Sequence, residues 1–219
     1  MARTSTTDST TDTTTDQTMN VRQLFPYPLG ITRLERSLTD HERQTVESLS
    51  KEVRENSGNF STRNTQVLEL PEFAVLKQDL EHKVLEYFIE VYDPQDSVEP
   101  NIVLSWLNYT KQDGFHHKHN HPNSLISGVF YVNANPAFDK INFYDSRYEP
   151  IEIVAKNYNK FNSRVWHVPV QTGDLILFPS YLEHGVEFVK HNMLRISLAF
   201  NVWVRGTIGT DERLTTLSL

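Results

Sequence analysis

The sequence predicts an α+β protein, in which a mainly antiparallel β-sandwich or barrel follows two N-terminal helices. Residues beyond 100 form short apolar or alternating runs, separated by turn-rich pieces and with no helical period between them. Strands without interleaved helices favour antiparallel pairing over a parallel α/β sheet. The runs expected to form strands lie at 102–109, 125–133, 141–144, 151–154, 165–170, 175–178, 185–189 and 193–204.

The two helices are predicted before residue 95. Thr39 and Glu42 have the spacing of a capping box, and the polar stretch that follows indicates an exposed helix to about Glu55, ended by 57–64. A short strand is expected at 65–68, and Pro71 then opens a second helix. The wide apolar stripe of that helix consists of Phe73, Leu76, Leu80, Val84, Tyr87, Phe88 and Val91. An apolar stripe of this width is expected to pack against a β-sheet.

Composition limits the kinds of site and partner. The 219 residues are 38% hydrophobic and include no Cys, which excludes disulfides and thiolate metal sites. A net charge of −7 without a basic run disfavours nucleic acid as a partner. No long apolar run or secretory signal is apparent, so we expect a cytoplasmic protein without a membrane partner. A homodimer is left open.

The domain prediction has one folded unit with two appendages. Residues 1–20 are rich in Thr, Ser and Asp, a composition typical of a disordered tail. The folded unit spans 21–219, with a helical support at 21–95, a β core at 96–205 and a C-terminal tail at 206–219. An extended segment near 21–35 is expected to lie along the domain.

Four histidines lie within the six residues 116–121. In a regular strand, His117, His119 and His121 would project to one face, and His116 would point away. Two imidazoles at i and i+2 can reach one ion of iron, zinc, copper or nickel. The candidate for a third ligand is His184, which follows the apolar run 175–178 and Pro179.

The last predicted strand has one apolar face and one polar face. Leu194, Ile196 and Leu198 alternate with Arg195 and Ser197. The first face can cover the helix stripe, whereas the second is too polar for an ordinary core and indicates a strand that lines a wet cavity. Two further polar residues of the predicted strands, Asn108 and Tyr131, either reach this cavity or complete hydrogen bonds on a sheet face. Trp106 and Trp166 are predicted to be core residues.

These segments together resemble a bacterial and phage family of 2-oxoglutarate- and Fe(II)-dependent oxygenases. The resemblance rests on W-x-N at 106–108, H-x-H followed by P-N-S, the run SGVFYV, the run GDLILFPSYLEHGV, and RISLAFN. It covers roughly Leu24 to Val204 and is dense from Trp106 to Asn201. It implies a double-stranded β-helix, also called a jelly-roll, with the two helices outside one sheet.

The resemblance also implies roles for individual residues. The metal ligands would be His119 and His184, with His121 where the wider superfamily has Asp, and the cofactors would be Fe(II) and 2-oxoglutarate. Arg195 with Ser197 would bind the far carboxylate of 2-oxoglutarate, since a guanidinium supplies two donors in a fixed fork. Asn108 and Tyr131 are further candidates for cofactor binding. His116 and His117 are expected to be outer neighbours rather than ligands, and His191 carries no signal above a surface residue.

Two questions stay open at this point. The third ligand is either His121 or a carboxylate from elsewhere in the chain, for which Asp113, Asp139 and Asp145 are candidates. The function is either a hydroxylating dioxygenase, a three-histidine cupin-like metalloprotein that acts without 2-oxoglutarate, or an inactive jelly-roll binding protein. The substrate, a small molecule or a protein side chain, is unknown. The rim of the substrate site is expected in the segments 146–164 and 135–139.

Overall fold

The computed structural model describes residues 19–94, 97–147 and 151–219, so the predicted tail at 1–20 lies almost wholly outside the described residues. The helices are α1 (Asp40–Leu49) and α2 (Ala74–Tyr92). The strands are β1 (Gly30–Arg33), β2 (Val53–Asn56), β3 (Asn59–Thr62), β4 (Val98–Thr110), β5 (His116–His119), β6 (Ile126–Asn133), β7 (Lys140–Tyr144), β8 (Val165–Pro169), β9 (Asp174–Pro179), β10 (His184–Val186), β11 (Arg195–Ile208) and β12 (Leu217–Ser218).

Two antiparallel sheets face each other as a jelly-roll. The larger sheet has the order β1-β9-β6-β11-β4-β3-β2, with β12 paired to β11, and the smaller sheet has the order β5-β10-β7-β8. Side chains of β6 and β9, among them Val129 and Phe178, pack against Ile141, Phe143 and Val168 of the smaller sheet. This inter-sheet layer is apolar at one end only, which leaves room for a polar site at the other.

The second core lies between the helices and the outer face of the larger sheet. The predicted stripe of α2 packs there, with Leu76 and Leu80 fully buried against a cluster that includes Leu198, Phe200 and Val202 of β11. Alternation along β11 therefore assigns its apolar side chains to the helices and its polar ones to the space between the sheets. The predicted packing of the helix stripe on the last strand is confirmed.

Three local predictions before residue 70 differ from the structure. Helix α1 ends at Leu49, and residues 53–62 form the hairpin β2–β3 around Ser57 and Gly58 instead of more helix and a loop. The reason is turn chemistry, since Gly58 adopts φ +85 and a two-residue Ser-Gly turn closes a hairpin. Residues 67–69 form a 3-10 turn rather than a strand, with only Gln66 bridging to Ser105.

The run at 151–154 forms no strand. Its residues have no ladder partner, and Ile153 and Val154 are each 85% exposed. β-rich composition alone predicted this strand, but strand formation also requires an edge to pair with. At the other end of the chain, β12 pairs with β11, so the predicted C-terminal tail contains a short strand. Within the described part of the chain, no helix is long and apolar enough to cross a membrane.

The helix layer supports a stability prediction. Leu80→Ala removes a side chain with no exposure from the core under α2, and we expect the free energy of unfolding to fall by about 2 to 5 kcal/mol. Val75→Ala is the matched control, since Val75 lies on the same helix and is 61% exposed. Its effect should stay within about 0.5 kcal/mol. Urea unfolding measures both, and equal effects would contradict the packing of α2.

Candidate active site

Three histidines converge at the open end of the inter-sheet space. The antiparallel register of β5 and β10 places His119 directly opposite His184. His121 lies two residues beyond the end of β5, where its backbone N–H donates to the Ser180 carbonyl at 2.9 Å. One ring nitrogen from each histidine lies within 4.8 Å of the other two. The structure thus brings together His119, His121 and His184, as the sequence predicted.

Backbone carbonyls orient two of the three rings. His119 Nδ1 lies 2.7 Å from the His117 carbonyl oxygen, and His184 Nδ1 lies 3.0 Å from the Leu182 carbonyl oxygen. A carbonyl only accepts, so each Nδ1 carries the hydrogen and each Nε2 presents its lone pair. The Nε2 of His184 then faces the Nε2 of His121 at 3.3 Å. This pattern is typical of metal-binding imidazoles.

Burial keeps the rings neutral. Desolvation lowers the pKa of His121 to about 4, lowers the pKa of His184 well below its ordinary 6.5, and also lowers the pKa of His119. The neighbouring imidazoles act in the same direction. Because a histidine must be neutral to coordinate a metal, the environment prepares all three for that role.

Within the described residues, the cluster able to share an ion contains no carboxylate. Asp139 accepts instead from His191 Nε2 at 3.0 Å, and Asp145 is paired with Arg147 at 2.7 Å. Asp113 is exposed, and its backbone N–H donates to Val189. None of the three carboxylates considered from the sequence therefore adjoins the histidine cluster.

The structure corrects the prediction for His116. Its ring stacks on His119 with centroids 4.4 Å apart and lines the same cavity, whereas His117 is exposed. The reason is a bulge, since three residue steps of β5, from His116 to His119, oppose only two steps of β10. This extra residue breaks the strict two-residue alternation and turns His116 inward. Burial lowers the pKa of His116 to about 3.

The polar face of β11 supplies the opposite wall of the cavity. Arg195 and Ser197 line it together with the histidines, as the sequence predicted, and Asn108 and Tyr131, whose place the sequence left open, line it as well. Asn108 is also fixed from behind, because its side-chain oxygen accepts from Ser61 Oγ at 2.8 Å. All four are at least 97% buried.

Arg195 and Tyr131 leave unused hydrogen-bonding capacity in this cavity. The guanidinium of Arg195 lies 5.1 Å from the centre of the Tyr131 ring. Among the described residues, neither Arg195 Nε nor the Tyr131 hydroxyl has a hydrogen-bond partner, although both atoms are buried. Burial raises the pKa of Tyr131 to about 12, so its hydroxyl remains a donor. Orphaned donors beside a buried cation fit a carboxylate ligand.

Two features of the cavity escaped the sequence interpretation. Trp106, predicted as core, lines the cavity with its ring centroid 5.6 Å from that of His121, and Trp166 is half exposed. Alternation along β4 was the available signal, since Trp106 and Asn108 share a face. The second feature is the buried pair of Asp139 and His191 beside Arg195, for which the sequence contains no recognisable motif.

The lowered histidine pKa values predict how stability depends on pH. Below about pH 6.5 these histidines become protonated in the unfolded chain but stay neutral in the folded, metal-free protein. The free energy of unfolding should therefore fall as pH drops from about 6.5 toward 4. Each such histidine contributes at most about 1.4 kcal/mol per pH unit. Urea unfolding in chelator measures this slope. His116→Gln should reduce it, while exposed His82→Gln should not, and a flat profile would contradict the prediction.

Comparison with known proteins agrees with this geometry. Residues 104–201 match the family model described as "Putative 2OG-Fe(II) oxygenase". This segment contains every histidine of the cluster and Arg195. No curated protein matches the chain in sequence.

Solved structures show the same fold at low identity. A 2OG-Fe(II) oxygenase family oxidoreductase from Burkholderia pseudomallei is 16% identical, with a TM-score of 0.52 and coverage of 79% of this chain and 84% of that one. HygX from Streptomyces hygroscopicus, solved with nickel and 2-oxoglutarate, is 13% identical, with a TM-score of 0.55 and coverage of 80% and 82%. The carbocyclase SnoK from nogalamycin biosynthesis is 12% identical, with a TM-score of 0.58 and coverage of 88% of each chain.

The matched segment, the jelly-roll and the site agree with one another. A histidine cluster on β5 and β10 faces a buried arginine on β11, within the residues that the family model covers. By the match over residues 104–201 and by the shared jelly-roll fold, the chain resembles the 2OG-Fe(II) oxygenases.

Proposed function

We propose that His119, His121 and His184 hold Fe(II), and that Arg195 with Ser197 binds the far carboxylate of 2-oxoglutarate. The observation that carries this proposal is one cavity with converging imidazole nitrogens on one wall and an arginine without a hydrogen-bond partner at Nε on the other. Iron and 2-oxoglutarate, when bound, supply the oxidation of a substrate by dioxygen, with release of succinate and carbon dioxide.

The histidine side fits a metal that keeps open positions. Three protein ligands on one face leave adjacent sites for a chelating ketoacid and for dioxygen. Three neutral imidazoles leave the centre one charge more positive than two histidines and a carboxylate would. This chain therefore provides a site with greater attraction for an anionic cosubstrate.

The arginine side fits the far carboxylate. Arg195 has a fixed, nearly fully buried fork, and Tyr131 and Ser197 place hydroxyl groups in the same cavity. In a desolvated pocket a charge-assisted pair of this type is strong and directional. A three-histidine protein that acts without 2-oxoglutarate has no use for a buried arginine opposite the metal, and an inactive binding protein has no use for the histidines.

The cavity must widen when the cosubstrate enters. Its volume is about 30 Å³, which is small for a ligand site. Among the side chains that line it without belonging to the proposed ligands, Trp106 and His116 are rings that are partly exposed. We expect at least one of these rings to move when 2-oxoglutarate binds.

The substrate is a small molecule or a protein side chain, and the rim predicted at 146–164, of which residues 148–150 lie outside the described residues, is the proposed contact. This segment carries exposed apolar side chains, including Ile151, Tyr158 and Phe161. At the second predicted rim, Phe138 is exposed but Asp139 is buried beside Arg195, so only the tip can meet substrate. Cytoplasmic location, a homodimer and the lack of a nucleic-acid or membrane partner stay predictions from the sequence.

Anaerobic titration of the Fe(II)-loaded protein with 2-oxoglutarate tests the function. A visible metal-to-ligand charge-transfer band should appear and saturate, because the ketoacid would chelate the iron through its carboxylate and keto oxygens. Succinate does not chelate in this way and serves as the control. Binding of Fe(II) without any band would favour the three-histidine protein that acts without 2-oxoglutarate.

The ligand assignment predicts a pattern of metal-dependent stability. Metal binding should stabilise the native protein by about 2.7 kcal/mol at a hundredfold excess over Kd. His119→Ala and His184→Ala should abolish the rise in Tm, and His117→Ala, at an exposed position, should retain it. His121→Asp should keep metal binding, while His121→Ala should weaken it sharply. Parental Fe(II) affinity in His121→Ala would remove His121 from the ligand set.

The carboxylate assignment predicts a separate effect for Arg195. Arg195→Gln should leave metal affinity nearly intact and weaken 2-oxoglutarate binding by about 2 to 5 kcal/mol. Arg195→Lys should rescue only part of this, because an ammonium cannot fork. Arg33→Gln, on the edge strand β1 and paired with Asp174, is the matched control, since Arg33 does not line the cavity. Calorimetry on the metal-loaded variants measures the affinities, and an unchanged Kd for Arg195→Gln would refute the assignment.

A further inference from the structure

A buried group of three ionisable residues lies behind the cavity. Asp139 precedes β7, His191 lies in the loop between β10 and β11, and Arg195 begins β11. Their side chains are 3%, 7% and 3% exposed. One Asp139 oxygen accepts from His191 Nε2 at 3.0 Å and lies 3.9 Å from Arg195 Nε. Charged groups are rarely buried together without a reason in charge balance or function.

Asp139 is held firmly in place. Its second carboxylate oxygen accepts from the backbone N–H of Asn135 at 2.7 Å, and its own backbone N–H donates to the Asn135 carbonyl at 2.8 Å. This turn fixes the carboxylate beside the guanidinium. Asp139 therefore offsets the charge of Arg195 before any ligand arrives.

This neutralisation conflicts with the role proposed for Arg195. A bound carboxylate would bring a second negative charge to these three residues, of which only Arg195 is a permanent cation, while the charge of the proposed metal lies at the other end of the cavity. An uncompensated charge in such a site is costly. His191 is the remaining titratable member, and histidine is the side chain whose charge changes most readily near neutral pH.

His191 has the structure required of a proton acceptor. Its Nε2 faces Asp139, and its Nδ1 is buried and has no hydrogen-bond partner among the described residues. The ring is also covered by Phe138, with centroids 5.8 Å apart. With the hydrogen of the neutral ring on Nε2, a proton added at Nδ1 would give a cation in contact with Asp139.

We propose that His191 and Asp139 are positioning residues for the cosubstrate, and that His191 takes up a proton when the 2-oxoglutarate carboxylate binds at Arg195. This inference rests on the proposed function. Protonated His191 then balances Asp139, and the charge of Arg195 is left for the ligand. The proton comes from solvent and returns when the ligand leaves, so no other bond is made or broken.

Other charged groups near the His191 loop leave this balance unchanged. Lys140 and Glu187 pair with each other at 2.9 Å and line the outer groove. Lys190 and Asp113 are exposed to solvent, so water screens them. Among the described residues, Asp139 is the charged group in contact with the ring, and Arg195 lies on the other side of that contact, 3.9 Å from Asp139.

Calorimetry of 2-oxoglutarate binding to the Ni(II)-loaded protein tests the inference. Titrations at pH 7.5 in phosphate and in Tris, whose ionisation enthalpies differ widely, give the number of protons taken up. We expect clear uptake, approaching one proton, and a Kd that falls by up to about tenfold for each unit that pH is lowered. Saturating Ni(II) keeps the metal ligands from taking up these protons.

Two variants separate proton uptake from simple packing. His191→Gln keeps an N–H donor toward Asp139 but cannot titrate, so both the uptake and the pH dependence of Kd should disappear. Asp139→Asn keeps the shape but removes the opposing charge, so uptake should disappear while binding is retained or tightened. His41→Gln, on the exposed face of α1, is the control and should match the parent. Thermal stability and Ni(II) binding check that each variant is folded.

The outcomes distinguish the two proposals. Absence of 2-oxoglutarate binding to the parent would overturn the proposed function itself. Binding without proton uptake, or with uptake that His191→Gln retains, would leave that function standing and overturn the role of His191. A Kd raised more than tenfold by Asp139→Asn would show that Asp139 supports the ligand rather than opposing Arg195, which would also overturn the inference.

Discussion

The alternation of side chains along β11 is the constraint on which the rest of the structure depends. This central strand pairs with β4 on one side and β6 on the other. Leu198, Phe200 and Val202 face the helices, while Arg195 and Ser197 face the space between the sheets. Because a one-residue slip would exchange the two faces, the apolar core also fixes where the arginine lies.

The metal end depends on a different pairing, in the smaller sheet. Strand β10 has three residues, and its register with β5 sets His184 opposite His119. The bulge in β5 then adds His116 to the cavity wall. Burial keeps these imidazoles neutral, which suits metal coordination and makes the metal-free site costly at low pH. The same low-polarity surroundings strengthen any charge pair at Arg195.

Charge balance links the two ends of the cavity. With Fe(II) bound as proposed, three neutral histidines would attract an anionic cosubstrate more strongly than a site with a carboxylate ligand, whereas Asp139 offsets the cation at the far end. A protonated His191 would restore that cation only when a ligand is present. In this view the site exchanges a proton with its cosubstrate instead of holding a permanent excess of charge.

The sequence by itself determined most strands of the β core, the helix stripe, the histidine cluster and the polar face with Arg195. These follow from periodicity and spacing, which are local properties of the chain. The Ser-Gly turn that follows α1 is likewise a local signal. Tertiary structure alone decided the bulge that turns His116 inward and the exposed run at 151–154. It also joined Asp139 to His191 across 52 residues. Such outcomes depend on which strand edges and buried charges meet in space, and no local pattern encodes that.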